Sequence, residues 1–357
     1  MNAAAAKAPL IGDANMMKIA LSASRSSSRL ARPNPWVGAV VLSTDGQVFT
    51  GATGAPGDRH AEVAALDKAG GASVGSTMWV TLEPCSHYGK TPPCTERIIA
   101  AGVARVVAGL VDPDERVNGS GLRRLAAAGI EVAAGVEADA VASELLAYLC
   151  LKSWGRPMVT LKMAMTLDGF IAAADGTSKW ITGEDARRHV QELREQADVI
   201  MVGAGTARAD NPRLDVRTSD GTRLPSSPRR VVLGTLAAEA AAQPALSWHG
   251  SLGDLMSRLS TEGALSVLAE GGAKVAHSLL AAGLVDRFHL FVAPKALGGE
   301  EGLRLFSGPG ATTMADAKPL SMVATRQCGQ DVELVMESDA LSALRRRIVG
   351  SSRDFLL

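Results

Sequence analysis

The chain has 357 residues, of which 46% are hydrophobic and 21% are charged, and this composition is typical of an ordinary soluble globular protein. Lysine plus arginine and aspartate plus glutamate number 37 each, so the formal net charge is zero. A dedicated nucleic-acid binder usually carries a basic excess, which argues against that class. No apolar run is long enough to span a membrane. The length favours two domains.

The N-terminus is alanine-rich and lacks the apolar core of a secretory signal, so we expect residues 1–13 to form a disordered tail. The chain contains four cysteines, and a chain of this length can build its own cores without disulfides. We therefore expect a reducing, cytoplasmic location. The cysteines are Cys85, Cys94, Cys150 and Cys328.

In chain order, the first half alternates helices with strands, which predicts an α/β sandwich over 14–154. The first helix, over 14–30, ends at the prolines Pro33 and Pro35. Strands are predicted over 36–42, 48–51, 78–82, 104–111 and 130–133, and further helices over 60–68, 94–101, 121–128 and 138–152.

The pattern restarts around Trp154-Gly155-Arg156-Pro157, where we place a domain boundary. A second α/β domain is expected over 155–338, followed by a C-terminal tail over 339–357. Strands are predicted over 158–165, 170–173, 198–202, 230–233, 265–269 and 288–292, a closing hairpin over 323–336, and helices over 184–196 and 273–282.

The most specific motif is His60-Ala61-Glu62 followed by two cysteines, Cys85 and Cys94. One imidazole and two thiolates fill three corners of a tetrahedral zinc site and leave the fourth to water, as catalytic sites do. This order is typical of zinc deaminases, although eight residues separate these cysteines where two are usual. We predict one Zn²⁺ per chain on His60, Cys85 and Cys94, with Glu62 as the general acid/base.

Each of these residues also has a structural interpretation. A histidine such as His60 is more often a surface or capping residue, and Glu62 is an ordinary carboxylate for the first turn of a helix. The two cysteines could also form a closed structural zinc site with His87 as its fourth ligand. The combined motif favours the catalytic site, and we expect His87 to line the pocket or to lie in a loop.

The surrounding segments resemble the deaminase half of the RibD family, bifunctional riboflavin-biosynthesis enzymes of the cytidine-deaminase-like superfamily. The eight-residue gap between the cysteines is what that family shows. The resemblance implies that Asn34, Lys90 and Asp112 contact an aminopyrimidine ribose phosphate. The segments are Asn34-Pro35, Val37-Gly38-Ala39-Val40, His60-Ala61-Glu62, Thr81–His87 and Gly89–Cys94.

The family usually has Asp-Pro-Asn after the fourth strand. This chain has Asp112-Pro113-Asp114 there, and a carboxylate cannot donate a hydrogen bond as an amide does.

In the second half, glycines follow two predicted strands, at Gly203-Ala204-Gly205 and at Gly271-Gly272. Glycine lets a ligand approach the backbone, and a helix that begins at Ala273 would aim N–H groups at a phosphate. Taken singly, each is more often a simple turn. Neither forms a G-x-G-x-x-G motif, so a Rossmann fold is not indicated.

The second half also resembles the reductase half of the RibD family, whose fold is like dihydrofolate reductase. The segments that carry this resemblance are Lys162-Met163-Ala164, Leu167-Asp168-Gly169, Ser178–Thr182, Gly205-Thr206, Ala209–Pro212, Leu214, Arg217 and Glu270-Gly271-Gly272. The resemblance covers roughly residues 14 to 337 in all, and it implies NADPH as the second cofactor. The implied NADPH contacts are Ala164, Trp180, Thr206, Asp210 and the loop of Gly272, Ala273, Lys274, Val275, Ala276, His277 and Ser278. The implied substrate contacts are Ser178, Arg194, Leu214, Arg217 and Glu270, and we add Lys162, which with Glu270 would flank the reacting sugar. We expect Arg194 and Arg217 to bind the substrate phosphate, because a guanidinium makes bidentate contacts.

One departure from the family concerns Gly234 to Gly263, where a further helix–strand unit is usual. Here the segment is short and rich in alanine, and Gly234 replaces an acidic residue at the end of the preceding strand. That stretch helps to bind the nucleotide end of the cofactor. An alternative is therefore a working deaminase whose second half is a cofactor-dead oligomerisation scaffold.

The predicted fold is a cytidine-deaminase-like α/β/α sandwich followed by a dihydrofolate-reductase-like α/β domain. The predicted function is zinc-dependent deamination of 2,5-diamino-6-ribosylamino-4(3H)-pyrimidinone 5′-phosphate, followed by NADPH reduction of its ribosyl group to ribityl. We expect a small phosphorylated substrate, no nucleic acid, no membrane, and a homo-oligomer formed through the reductase domain. Two other classes remain open: a nucleic-acid-editing deaminase and a non-catalytic, zinc-stabilised binding module.

Overall fold

The computed structural model describes residues 12–88, 92–217, 221–224 and 227–355. The chain divides into two compact units. The first comprises Met1–Trp154 together with Leu344–Leu357, and the second is Gly155–Ala343.

The first unit contains a five-stranded sheet and its covering helices. Its elements are α1 (Asp13–Arg25), β1 (Gly38–Leu42), β2 (Val48–Ala52), α2 (Ala61–Ala69), a 3-10 turn (Gly70–Ser73), β3 (Thr77–Leu82), α3 (Cys94–Ala100), β4 (Arg105–Leu110), α4 (Ser120–Ala127), β5 (Glu131–Ala134), α5 (Ala138–Glu144) and α6 (Leu146–Trp154).

The strand order is β2-β1-β3-β4-β5, with β1 antiparallel to both neighbours and β3, β4 and β5 parallel. Helices cover both faces of this sheet. A Cβ on Gly38 would meet the α1 backbone at Ala20, whereas a Cβ on Gly51 would meet the α2 backbone at Ala61. Gly51 pairs with Ala39, the neighbour of Gly38, and successive residues of a strand face opposite ways. The unit is therefore an α/β/α sandwich.

The second unit contains an eight-stranded sheet. Its elements are β6 (Met158–Thr166), β7 (Phe170–Ala172), α7 (Glu184–Gln196), β8 (Val199–Gly203), α8 (Ala204–Asp210), β9 (Arg229–Leu233), β10 (Leu246–Trp248), α9 (Leu252–Thr261), β11 (Ser266–Glu270), α10 (Ala273–Ala281), β12 (Arg287–Ala293), β13 (Leu303–Arg304), a 3-10 turn (Met314–Asp316), β14 (Leu320–Cys328) and β15 (Asp331–Ser338). A last helix, α11 (Asp339–Arg353), runs from this unit into the residues that group with the first.

The order of the large sheet is β10-β9-β8-β11-β6-β12-β15-β14. The strands from β10 to β12 are parallel, and β15 and β14 complete the sheet as an antiparallel hairpin. Alternate residues of β6 separate the two faces. Val159, Leu161 and Met163 belong to the main apolar core with α9 and α10. Lys162 and Ala164 therefore point to the other face, against which α7 packs.

Three sequence-based predictions of elements are wrong. The single helix over 138–152 is interrupted at Leu145, where the backbone lies at φ −93° and ψ 10°. The segment expected as a C-terminal tail is α11, whose buried residues recur at helical spacing: Leu341, Leu344, Ile348 and Val349. The turn at Gly203-Ala204-Gly205 is the start of α8, because residues 204–210 are helical.

The shortened segment between Gly234 and Gly263 keeps a strand and a helix. Strand β10 pairs in parallel with β9 at the edge of the large sheet, and α9 follows it. Leu255, Met256 and Leu259 of α9 are buried in the main core. What the segment lacks is a helix between β9 and β10, since residues 234–245 contain only turns and coil.

A substitution at Gly38 tests whether α1 must pack closely against the sheet. A Cβ there would lie 1.9 Å from the carbonyl oxygen of Ala20 and 2.8 Å from the backbone nitrogen of Ser24. Because neither atom can move without shifting the helix, we expect Gly38→Ala to lower the free energy of unfolding of the first unit by about 1–3 kcal/mol. Differential scanning calorimetry measures this. The control is Gly71→Ala, where a Cβ would meet nothing within 4 Å; equal transition temperatures for the two variants would contradict the prediction.

Candidate active sites in the two units

The predicted zinc ligands come together in the first unit. His60 is the N-cap residue of α2, Cys85 follows β3, and Cys94 is the first residue of α3. The Nδ1 atom of His60 lies 3.6 Å from the Cys85 sulfur and 3.2 Å from the Cys94 sulfur. One imidazole nitrogen and two sulfurs within 4.8 Å of one another are a donor set that suits zinc.

Charge in this cluster is concentrated on Cys85. Its pKa is lowered to about 4, first by a hydrogen bond from the Cys94 thiol and then by the His60 imidazole. The backbone N–H of Cys94 also donates to the Cys85 sulfur at 3.3 Å. The same Cys85 contact raises the pKa of His60 to about 9. These interactions hold the three side chains together with a thiolate already favoured, which is the ligand form that zinc requires.

Glu62 lies in the first turn of α2 and is only 4% exposed. Burial raises the pKa of its carboxyl, and the nearby His60 acts against that rise. A raised pKa suits a group that must take up and give back a proton near neutral pH.

His87 does not belong to the group of ligand atoms formed by His60, Cys85 and Cys94 in the described part of the chain. The closed four-ligand structural site therefore has no support from the geometry. The Nδ1 atom of His87 is buried without a hydrogen-bond partner among the described residues. That arrangement agrees with the expectation that His87 lines the pocket, which stays a prediction.

Glu83 is a functional residue that the sequence analysis missed. Its side chain is buried, and its carboxylate accepts hydrogen bonds from four backbone N–H groups. The donors are Asp112, Gly119, Gly121 and Leu122, at 2.8–3.3 Å. Glu83 thereby joins the loop that carries Cys85 to the loop after β4 that carries Asp112. Its position directly before Pro84-Cys85 was the available signal.

Asp112, a predicted substrate contact, is held inside the protein. Burial raises the pKa of its carboxyl to about 6, and the carboxyl accepts hydrogen bonds from the Tyr148 hydroxyl and from the backbone N–H of Asp114. The neighbouring Asp114 pairs with Arg116 at 2.6 Å and with Lys152 at 2.8 Å. Arg116 holds the pKa of Asp114 well below its usual range. These ion pairs account for a carboxylate where the family usually has an amide.

The other two predicted contacts of this unit are less constrained. Asn34 is half-buried on the loop before β1, where its backbone N–H donates to the Ala31 carbonyl. Lys90 lies outside the described residues.

In the second unit, two predicted substrate residues bind each other. The Arg194 guanidinium of α7 makes a two-pronged ion pair with Glu270 at the end of β11, at 2.6 and 2.9 Å. A third nitrogen of Arg194 donates to the Asp215 carbonyl at 3.3 Å. Because these bonds occupy the guanidinium, the geometry favours a positioning role for Arg194 over a phosphate clamp.

Lys162 lies beside this pair, because Glu270 and Lys162 are directly registered across β11 and β6. Burial lowers the pKa of Lys162, and Glu270 acts against that shift. Burial alone would raise the pKa of Glu270, but Arg194 holds it below its usual range. The ammonium of Lys162 also lies 5.6 Å from the centre of the Phe291 ring. A partly buried cation beside a partly buried carboxylate is typical of a site that binds a polar ligand.

The remaining predicted substrate residues lie on nearby connections. Arg217 donates through Nε to Asp215 at 2.8 Å. Leu214 is buried and adopts the left-handed backbone conformation, with φ of 49°. Ser178 is half-buried in the connection after β7, where its carbonyl accepts from Ile181.

Several predicted cofactor residues lie at the adjoining starts of α8 and α10. The Gly272 N–H donates to Thr206 Oγ1 at 3.1 Å, which links the two helix N-termini. The segment from Gly272 to Ser278, expected as a loop, is an N-cap followed by helix α10. Among the described residues, the N–H groups of Ala273 and Lys274 have no hydrogen-bond partner. Free N–H groups at a helix start favour a phosphate, so this feature fits a dinucleotide.

Two of the glycines near this feature serve helix packing. A Cβ on Gly203 or on Gly271 would lie 2.7 or 2.8 Å from Val275, so their absence of a side chain lets α10 approach the sheet. A Cβ on Gly205 would meet nothing within 4 Å. Of these three glycines, only Gly205 therefore has open space beside its backbone.

Four further predicted cofactor residues lie elsewhere in this unit. Trp180 is 62% exposed, and the Arg187 guanidinium stacks 4.5 Å from its ring centre. Ala164 is registered with Phe291 in the middle of the sheet. Asp210 is the exposed last residue of α8. The His277 ring packs on Gly308, where a Cβ would clash with it.

The two units define a zinc-deaminase domain and a second domain of reductase type, and comparisons with known proteins agree. Residues 11–110 match the cytidine and deoxycytidylate deaminase zinc-binding region, and residues 157–334 match the RibD C-terminal domain. The chain is 41% identical over 333 residues to the riboflavin biosynthesis protein RibD of Corynebacterium ammoniagenes, covering 91% of this chain and 97% of that protein.

Solved structures show the same likeness over 91% of the chain. RibD of Acinetobacter baumannii is 34% identical, with a TM-score of 0.83, and the likeness covers 91% of this chain and 98% of that one. A deaminase/reductase from Thermotoga maritima is 32% identical, with a TM-score of 0.79, 91% of this chain and 98% of that one being covered. The chain belongs to the RibD family. The predicted family, its two-part fold class and its bifunctional enzyme class are confirmed.

The zinc ligands are tested by removing one thiolate. We expect Cys85→Ser to lower the zinc content by one equivalent per chain, because a serine hydroxyl is a far poorer zinc ligand than a thiolate. Elemental analysis of the purified chain measures this. Cys328→Ser, a buried cysteine of the second unit, is the matched control and should leave the zinc content unchanged. Full zinc content in Cys85→Ser would exclude Cys85 as a ligand.

Proposed function

We propose that this chain carries out two consecutive reactions of riboflavin biosynthesis. The first unit hydrolytically deaminates 2,5-diamino-6-ribosylamino-4(3H)-pyrimidinone 5′-phosphate, and the second reduces the ribosyl group of the product to ribityl with NADPH. The observation that carries the proposal is the candidate ligand set of His60, Cys85 and Cys94 beside a buried Glu62, in a chain whose residues 157–334 match the RibD C-terminal domain.

When bound, zinc supplies Lewis-acid chemistry that lowers the pKa of water towards neutrality. The roles of the chain's own residues follow from their positions. Glu62 accepts a proton from the attacking water and passes it to the departing amino group, which leaves as ammonia. Its burial excludes bulk water from this transfer. Glu83 holds the loop of Asp112 against the loop of Cys85, and we propose that Asp112, Asn34 and Lys90 orient the phosphorylated pyrimidine.

In the second unit, NADPH supplies a hydride for reduction of the sugar carbon C1′. We propose that Lys162 and Glu270 flank the reacting sugar, with Arg194 holding the Glu270 carboxylate in place at 2.6 Å. The free N–H groups of Ala273 and Lys274, next to Thr206, favour the pyrophosphate of the cofactor. Arg217, Leu214 and Ser178 complete the proposed substrate contacts. The other proposed cofactor contacts are Ala164, Trp180, Asp210, Gly272, Val275, Ala276, His277 and Ser278.

The alternative, a deaminase with a cofactor-dead scaffold, is not favoured. Its basis was the shortened segment from Gly234 to Gly263, yet β10 and α9 are present there. The partly buried Lys162–Glu270–Arg194 group lies on strands and a helix that the shortening does not reach. A mere scaffold has no need for charges that are partly removed from water, which costs free energy.

A substitution at Glu62 tests the proposed deaminase mechanism most directly. Glu62→Gln keeps the shape of the side chain and removes its titration, so zinc should remain bound while ammonia release falls about a hundredfold or more. Ammonia release from the diaminopyrimidine phosphate and zinc content are measured on the same sample. Near-normal turnover would refute the role, and loss of zinc would show that Glu62 is a ligand. Glu96→Gln, which alters a partly exposed carboxylate of the same unit, is the control.

A substitution at Lys162 is expected to separate the reductase activity from the deaminase activity. Lys162→Met removes the buried charge and keeps much of the apolar stem, so NADPH oxidation should fall about a hundredfold or more while ammonia release is unchanged. Both are followed in one assay, by NADPH absorbance and by ammonia. Lys318→Met, which alters an exposed lysine of the same unit, should change neither. If the wild-type chain releases ammonia but neither oxidises nor binds NADPH, the scaffold alternative stands.

We further propose a cytoplasmic homo-oligomer that assembles through the second unit. Strand β14 ends the large sheet, and Leu320, Met322 and Val323 on it are exposed apolar residues. Such an edge strand is open to pairing with another chain. In the described residues, no helix is both long and apolar enough to cross a membrane. Sedimentation equilibrium tests the assembly, and a monomer at all concentrations would rule it out.

A further inference from the structure

The second unit contains another cluster of metal-ligand side chains, which neither reaction uses. It consists of His189 on α7, His289 on β12 and Glu333 on β15, and their ligand atoms lie within 4.8 Å of one another. The Nδ1 atom of His289 is 2.7 Å from Glu333 Oε1, and the Nε2 atom of His189 is 3.2 Å from the same oxygen. Three separate elements thus converge on one carboxylate.

Glu333 is fully buried, yet only one of its oxygens is satisfied. The other oxygen, Oε2, is buried with no hydrogen-bond partner in the described structure. The Nε atom of Arg326 lies 3.9 Å from it, which is beyond hydrogen-bond distance. An unsatisfied buried carboxylate oxygen costs free energy, and a cation bound between the oxygens and the imidazoles would remove that cost.

His189 has the surroundings of a metal-ligating histidine. Its Nδ1 atom lies 2.7 Å from the Glu192 carboxylate, and its Nε2 atom points at Glu333. Histidine ligands usually donate their remaining N–H to a carboxylate, which fixes the ring orientation.

We propose that His189, His289 and Glu333 bind a second divalent metal ion. Two imidazoles and one carboxylate suit Zn²⁺, Co²⁺ or Ni²⁺ better than Mg²⁺ or Ca²⁺. The ion links helix α7 to the neighbouring strands β12 and β15. Because α7 also carries Arg194, which holds Glu270, the ion has a structural and positioning role beside the reductase residues and no catalytic one.

Arg326 on β14 provides a test of how a neighbouring positive charge affects metal binding at this cluster. Its guanidinium lies 2.9 Å from His189 Nε2, and its side chain is 59% exposed. A cation at this position opposes a second cation in the cluster. Arg326→Ala should therefore tighten metal binding at the cluster, by roughly tenfold at low salt.

The experiment is a Co²⁺ titration of the full-length chain after its metal is removed with a chelator. The wild-type chain should bind two equivalents, of which one gives thiolate-to-cobalt charge-transfer absorption. Cys85→Ser should lose that absorption and keep one equivalent. His289→Asn and Glu333→Gln should keep the thiolate absorption and bind one equivalent, with circular dichroism as the check on folding.

The number of Co²⁺ equivalents that the wild-type chain binds tests the proposed second site even if a variant fails to fold. A titration that ends at one equivalent, with full thiolate absorption, overturns the proposal. Two equivalents in His289→Asn or Glu333→Gln would place the second ion elsewhere and overturn it equally. Arg326→Ala with unchanged affinity at low salt would also contradict the assignment, since removal of the opposing charge must favour a cation in this cluster.

Discussion

The geometry of the first site depends on the buried carboxylate of Glu83. Its two oxygens accept four backbone N–H groups from the loop after β4 and from the start of α4. A buried charge is tolerated only when hydrogen bonds satisfy it in this way. Glu83 is followed by Pro84 and Cys85, the proposed zinc ligand. One interaction therefore sets the positions of Cys85 and Asp112 together, although neither loop has regular secondary structure.

Both units place their chemistry where parallel strands end. In the first, Cys85 and Asp112 follow the neighbouring parallel strands β3 and β4. In the second, Glu270 ends β11, and the glycine-rich starts of α8 and α10 follow β8 and β11. Parallel strands gather their carboxyl ends at one edge, where helix N-termini offer free N–H groups. The same physical arrangement therefore serves a metal site in one unit and a proposed phosphate site in the other.

Two groups of titratable side chains lie on one face of the large sheet in the second unit. Arg194, Glu270 and Lys162 form one group, and His189, His289 and Glu333 form another. His289 and Lys162 are registered neighbours on β12 and β6, so the two groups adjoin. Within each group a carboxylate lies between basic side chains, which lowers the cost of burying its charge. The same face also carries an apolar cluster that includes Val190 and Phe291, so these polar groups lie among apolar side chains.

The three side chains that meet as a candidate zinc site, the neighbouring Glu62 and most strands could be predicted from the sequence. A metal motif depends on residue types at fixed spacing, and buried strands appear as short apolar runs. Helix α11 was missed, although Leu341, Leu344 and Ile348 carry the helical period. The break at Leu145 left no local signal, because the residues on both sides favour helix.

The sequence by itself determined the chemistry available to each unit, since side-chain identity decides what can bind zinc or carry a proton. Tertiary structure alone decided which charges meet. Arg194 and Glu270 are 76 residues apart along the chain, and Glu83 meets Gly121 across 38. Such pairings follow from strand order and register, which no local pattern encodes. For this reason Arg194, which was expected to bind a phosphate, is bound to Glu270 instead. Glu83, for which no role was expected, holds the two loops of the first site together.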